Sequence, residues 1–150
     1  MRSKSQGARQ NQGIGDANGA PEKLPFQSSP KTILLVDDQD ECRIAAKWFL
    51  ANFGYLVVTA RSAEEALAMF VPETYDVVVT DNAMTGLSGA EMAHIIKLRS
   101  PTTPVIMYTG QPPADTSCVD VVIQRPTHLL VLKEAIDAAL AGCGDGAGSR

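Results

Sequence analysis

Three carboxylates, a hydroxyl and a guanidinium stand at the ends of short apolar runs. Asp37 and Asp38 follow "ILLV", Asp81 follows "VVVT", Thr109 follows "PVIMY" and Arg125 follows "VVIQ". Two adjacent aspartates at the end of an apolar run repel each other. If the runs bring Asp81 beside them, three carboxylates cannot all stay ionised without a counter-charge. A hard divalent cation supplies one, and an all-oxygen donor set of this kind suits Mg²⁺. The pattern therefore points to a metal cradle with a hydroxyl and a cation beside it.

The elements that must position these groups read as alternating strands and helices. "TILLV" (32–36), "YLVVT" (55–59), "DVVVT" (76–80), "PVIMY" (104–108) and "DVVIQ" (120–124) are short and rich in Val or Ile, as strands are. Their near-continuous apolarity predicts strands covered on both faces, as in a parallel sheet. "ECRIAAKWFLANFG" predicts a helix with Gly54 at C′. Ser62 with Glu65, and Ser88 with Glu91, read as capping boxes that open two further helices. "THLLVLKEAIDAALAG" predicts the closing helix, with Thr127 as its N-cap and Gly142 as its stop. Trp48 and Phe49 read as helix packing. Strands alternating with helices predict an α/β domain with a doubly wound, five-stranded parallel sheet. Ligands of such sheets bind just past the carboxyl ends of the strands, where all five candidate groups fall.

Composition restricts the partners. The 150 residues suit one domain, and 45% hydrophobic with 20% charged residues reads as globular. A net charge of −4 argues against nucleic acid, whose phosphates attract basic surfaces. No apolar run reaches the roughly 18 residues of a membrane span, so no membrane role is expected. Cys42, Cys118 and Cys143 are odd in number and widely spaced, which fits a reducing cytoplasmic location better than a disulfide framework. Residues 1–30 are polar and rich in Gly, Gln and Ser, and are expected to be a disordered tail. The domain is expected over 31–141, followed by a flexible tail over 142–150.

"ILLVDD", "DNAMTGLSG", "PVIMYTG" and "QRP" together resemble the successive motifs of response-regulator receiver domains of bacterial two-component signalling. The resemblance runs from about Lys31 to Leu140 and implies a flavodoxin-like fold. It implies that Asp81 is the phosphoacceptor, that Asp38 and Asp81 bind Mg²⁺ directly with the main-chain carbonyl of Ala83, and that Asp37 holds the ion through water. It further implies that Thr109 bonds a phosphoryl oxygen and that Arg125 stands where the family has lysine. The implied partners are a sensor histidine kinase or phosphotransfer protein upstream and an unidentified protein target downstream. No output domain follows the last helix, so a stand-alone receiver is expected, a phosphoacceptor and not an enzyme in its own right.

The chemistry agrees with the residues. A carboxylate can attack phosphorus to give an aspartyl phosphate, and phosphoryl transfer depends mostly on positioning and on neutralising oxygen charge. Plainer readings exist for each residue. Asp37 and Asp38 could favour the dipole of the first helix, Asp81 could be a turn residue, and Arg125 could be a surface cation. Cys42, His94 and His128 have no assigned role.

The chain also departs from the family pattern. Arginine replaces lysine at 125, which is not a conservative exchange. Thr85 follows Met84 where proline is common, and Val122 stands where an aromatic switch residue is usual. The segment "GQPPADTSC" carries adjacent prolines and little apolar material, which predicts a degenerate fourth helix. Two alternatives follow: a receiver-like interaction module that never uses phosphate, and an aspartyl-phosphatase with Asp38-Gln39-Asp40 as its D-x-D.

Overall fold

The computed structural model describes residues 29–145; the tail expected over 1–30 lies almost wholly outside the described residues, as does the end of the chain from 146. Five strands form one parallel sheet: β1 (Thr32–Val36), β2 (Leu56–Ala60), β3 (Val77–Thr80), β4 (Val105–Thr109) and β5 (Val121–Gln124). Their order across the sheet is β2-β1-β3-β4-β5. Among the described residues four helices accompany them: α1 (Asp40–Ala51), α2 (Ala63–Met69), α3 (Gly89–Arg99) and α4 (Leu129–Asp145). This is the doubly wound sheet that the alternating pattern predicts, in the flavodoxin-like arrangement that the resemblance implies.

Side chains of a strand alternate between faces, so the unbroken apolarity of β1 feeds two cores. Ile33 and Leu35 pack with Ala46 and Leu50 of α1 and with Leu132 and Ile136 of α4. Leu34 and Val36 pack with Ala63 and Ala66 of α2 and with Met92, Ala93 and Ile96 of α3. Each fully buried large aliphatic contributes roughly 1.5–3 kcal/mol relative to exposure.

The two edge strands depart from the expected two-sided burial. In β2, Leu56 is exposed, and in β5 both Val122 and Gln124 are exposed. The reason for β5 is plain: residues 110–120 form turns and bends with no helix, so among the described residues no helix covers its second face. The expected loss of the fourth helix is therefore observed. The chain still enters β5 in register because Asp120 is gripped on arrival. Its Oδ2 accepts from the Val105 amide at 2.7 Å and from Lys97 Nζ at 2.7 Å.

Several local expectations need correction. Gly54 has φ of +93° but lies two residues past the Asn52 cap, closing a last turn through its N–H to Ala51 O at 3.0 Å. Ser88 and Glu91 form the full capping box. Ser62 accepts from the Glu65 amide, but Glu65 reaches the Arg61 amide one residue before the cap. At α4 the cap is His128, not Thr127: its Nδ1 accepts from the Leu130 amide at 3.0 Å. The same helix continues past Gly142 to Asp145, since a single glycine weakens a helix without ending it. Trp48 is 69% exposed, because α1 packs through Ala46 and Leu50 and Trp48 lies off that stripe.

Candidate functional site

The chain leaves β1 toward β2 on one side and returns on the other side as β3, so the switch point of the sheet lies between β1 and β3. Val36 pairs with Thr80, and the Asp81 amide donates to Val36 O at 3.0 Å. That register sets Asp37 and Asp81 side by side at the carboxyl edge. Asp37, Asp38 and Asp81 each present a carboxylate oxygen within 4.8 Å of the others. Asp37 and Asp81 are buried, and Asp38 is the most open of the three.

Backbone amides hold each carboxylate. Asp37 Oδ1 accepts from Gln39 N–H at 2.9 Å, Asp81 Oδ1 from Asn82 N–H at 2.7 Å and Asp38 Oδ2 from Thr85 N–H at 3.2 Å. Arg43 of α1 fixes the Asp37 carbonyl at 3.0 Å. Asn82 ties the edge together: its Oδ1 accepts from Ala90 N–H and its Nδ2 donates to Gln111 O, both at 3.0 Å. Gly89 opens α3 so close to Asp81 that a Cβ there would meet the Asp81 carbonyl at 2.0 Å. Only glycine fits.

Arg125 reaches into this cluster, with Nη2 3.1 Å from Asp81 Oδ2 and Nη1 3.8 Å from Asp37 Oδ2. It is thus a partner of the acidic pair and not a surface cation. Thr109 is fully buried, its Oγ1 accepting from Gln111 N–H at 3.0 Å. The Arg125–Pro126 peptide is cis. A cleft of about 590 Å³ opens over the group, lined among others by Cys42, Asp81, Ala83, Tyr108, Thr109 and Arg125.

The electrostatics follow from this crowding. Burial pushes the Asp37 carboxyl above the ordinary carboxylate value, and Asp81 and Asp38 add to the push while the Gln39 amide and Arg125 oppose it. Burial alone would lower the Arg125 guanidinium, but the Asp81 and Asp37 carboxylates and Cys42 hold it above its ordinary value. Burial likewise raises the Tyr108 phenol, with Arg125 pulling the other way. The donor set fits a small, hard divalent cation: three carboxylates converge, all ligand atoms are oxygen, and the repulsion among the aspartates, which adds to the effect of burial on Asp37, is what a cation would relieve. Ala83 lines the same cleft.

All five side chains singled out in the sequence therefore share one edge. Asp40, the second acid of the D-x-D alternative, does not join them: it lies exposed on α1, paired with Arg43 at 2.6 Å. Sequence reasoning missed Tyr108, whose ring centroid lies 5.2 Å from the Arg125 guanidinium carbon. A period-two count would have found it. Tyr108 pairs with Ile123, and Arg125 follows two residues on, so the three project to one face. Asn82 and Gly89 were also missed, since neither the hydrogen bonds nor the close approach has a local signature.

Comparison with known proteins agrees with this geometry. The model of the response regulator receiver domain matches residues 33–138. The cyclic di-GMP phosphodiesterase of Thermotoga maritima is 31% identical over 115 residues, 73% of this chain and 31% of that protein. The transcriptional regulatory protein ResD of Bacillus subtilis is 31% identical over 85 residues, 57% of this chain and 35% of ResD. The chain thus matches about a third of each of these curated relatives. Among solved structures, the response regulator TrrA of Thermotoga maritima in complex with Mg(2+)-BeF is 32% identical with a TM-score of 0.69, covering 73% of this chain and 99% of that one. A CheY-like receiver domain from Methanospirillum hungatei is 30% identical with a TM-score of 0.71, covering 77% of this chain and 98% of that one. A matched segment that takes in every strand, with the acidic cluster at the switch point of the sheet, means that this chain belongs to the response regulator receiver domain family of two-component systems.

Proposed function

We propose that this receiver domain is a phosphorylation-dependent signalling switch. Asp81 accepts a phosphoryl group from a sensor histidine kinase or phosphotransfer protein in the cytoplasm, and the phosphorylated state docks to a downstream protein. One observation carries the reading: the carboxylates of Asp37, Asp38 and Asp81 converge within 4.8 Å while Arg125 lies 3.1 Å from Asp81.

Asp37, Asp38 and Asp81, with the Ala83 main-chain carbonyl, would hold Mg²⁺. When bound, Mg²⁺ supplies positive charge against the carboxylates and the phosphoryl oxygens. The chain's own residues do the rest. An Asp81 oxygen forms the new bond to phosphorus as the bond from phosphorus to the donor's nitrogen breaks, and that nitrogen keeps the electron pair. Asp81 is pre-aimed by the Asn82 amide and by the Gly89 approach. Arg125 takes up charge that develops on the transferred oxygens, a role suited to a fixed, permanently charged group. The Thr109 hydroxyl accepts the Gln111 amide proton and so keeps its own proton for donation to a phosphoryl oxygen.

Intact mass measurement after incubation with Mg²⁺ and acetyl phosphate tests the assignment. Wild type should gain one phosphoryl group and Asp81→Asn none. Equal labelling of the two overturns Asp81 as the acceptor.

A further inference from the structure

The Arg125 guanidinium has fewer polar anchors than its setting suggests. Nη2 makes a contact of hydrogen-bond length with Asp81, at 3.1 Å. Nη1 stands 3.8 Å from Asp37, beyond a hydrogen bond. Nε is buried with no hydrogen-bond partner among the described residues. One short contact cannot fix the plane of a guanidinium, which carries five donors in a rigid fork. The Cys42 side chain also neighbours the guanidinium, but a single sulfur does not set its plane. The Tyr108 ring can, lying 5.2 Å from centroid to guanidinium carbon and so within cation–aromatic range. Tyr108 is itself held at both ends: its backbone lies in β4, and its hydroxyl donates to the Thr127 carbonyl at 3.3 Å.

We propose that Tyr108 is the positioning residue for Arg125, a platform that keeps the guanidinium aimed at Asp81. The proposal rests on the phosphoacceptor reading above and deepens it. A lysine ammonium is a compact point charge and needs no platform, whereas a planar guanidinium does. Val122, on the neighbouring strand, offers no such face.

The test uses the full chain labelled with ¹⁵N, and phosphorylation by acetyl phosphate with Mg²⁺. The Arg125 Nε–Hε resonance is identified by its loss in Arg125→Lys and should lie upfield, shielded by the ring. Tyr108→Phe keeps the ring, and should leave the resonance in place and the labelling rate within about twofold of wild type, since only the hydroxyl contact is lost. Tyr108→Leu should move the resonance to the region of exposed arginines and slow labelling roughly fivefold, the scale of a partly desolvated cation–aromatic contact. In an Arg125→Lys background Tyr108→Leu should have little effect on the rate. The proposal is overturned if Tyr108→Leu leaves the resonance unmoved, if the resonance moves with no change in rate, or if Tyr108→Phe is as slow as Tyr108→Leu. Circular dichroism checks folding, and Tyr108→Met replaces the leucine variant if that one unfolds. If wild type takes no phosphoryl group at all, the phosphoacceptor reading fails, and the resonance comparison alone decides whether the ring holds Arg125.

Discussion

At the start of α3, Gly89 sits so near the Asp81 carbonyl that a Cβ would approach it to 2.0 Å. Two strands away, Val122 of β5 is 37% exposed, and no helix among the described residues lies over it. The first region is tied by Asn82, by three amides on three carboxylates, and by strands buried on both faces. The second is an edge strand reached through a segment of turns. The acidic edge is over-determined, which would suit the proposed phosphoryl chemistry, since that needs groups held to fractions of an ångström. The exposed face of β5 has no such set of ties.

The comparison is sharpest in stability. Gly89→Ala should cost about 3 kcal/mol or more, because backbone must move to admit the methyl group. Val122→Ala should cost under about 0.5 kcal/mol, as substitutions at exposed positions do. Urea unfolding of both variants measures the contrast, and similar losses would erase it.

Local opening should differ as well. Amides from Gly110 to Ser117 have few backbone partners, and the residues are mostly exposed. They should exchange at least about 100-fold faster than the amides of β1 and β3, the gap between loop opening and core opening. Comparable protection by hydrogen exchange would mean that the missing helix has been replaced by something equally firm.

A smaller effect concerns the acidic edge alone. Asp38→Ala should weaken Mg²⁺ binding about 10-fold or more, the scale of losing one charged ligand, with the fold intact. Isothermal titration checks it, and unchanged affinity would refute the metal cradle.

The smallest effect concerns Asp37. Its carboxyl is raised above the ordinary value of 3.8 by burial first and by the neighbouring aspartates. A raised folded value means that the native state binds the proton more tightly than the unfolded chain does. The favourable contribution is present below the ordinary value and is lost as pH rises through the folded value. At neutral pH the ionised group is therefore a net cost to the metal-free domain. Asp37→Asn should raise the metal-free Tm at pH 7 by roughly 2–4 °C, and the difference should shrink as pH falls toward the ordinary value. A lower Tm in the variant would show that Arg125 more than offsets the burial.

Much of the site was legible because strand ends are legible. A short Val- and Ile-rich run terminates sharply, and in a parallel sheet every such terminus lies on one edge. Hence Asp37, Asp38, Asp81, Thr109 and Arg125 could be placed together from the chain alone. The capping box of Ser88 and Glu91 was legible for the same local reason. The N-cap of α4 was not: Thr127 and His128 are adjacent, and only the entry angle of the chain decides which one meets the Leu130 amide. Trp48 shows the opposite limit, since an aromatic within a helix suggests burial, but the helix packs through other positions.

The sequence by itself determined the element order, the sheet class and the identity of the groups at its carboxyl edge. Those follow from periodicities of two and 3.6 residues and from the chemistry of each side chain. The tertiary structure alone decided which groups touch. The partnership of Tyr108 with Arg125 joins neighbouring strands, and Gly89 meets Asp81 across a loop. The bare face of β5 depends on a helix that fails to form. Such contacts depend on register and on the positions of several elements at once, and no local pattern encodes a distance between residues far apart in the chain.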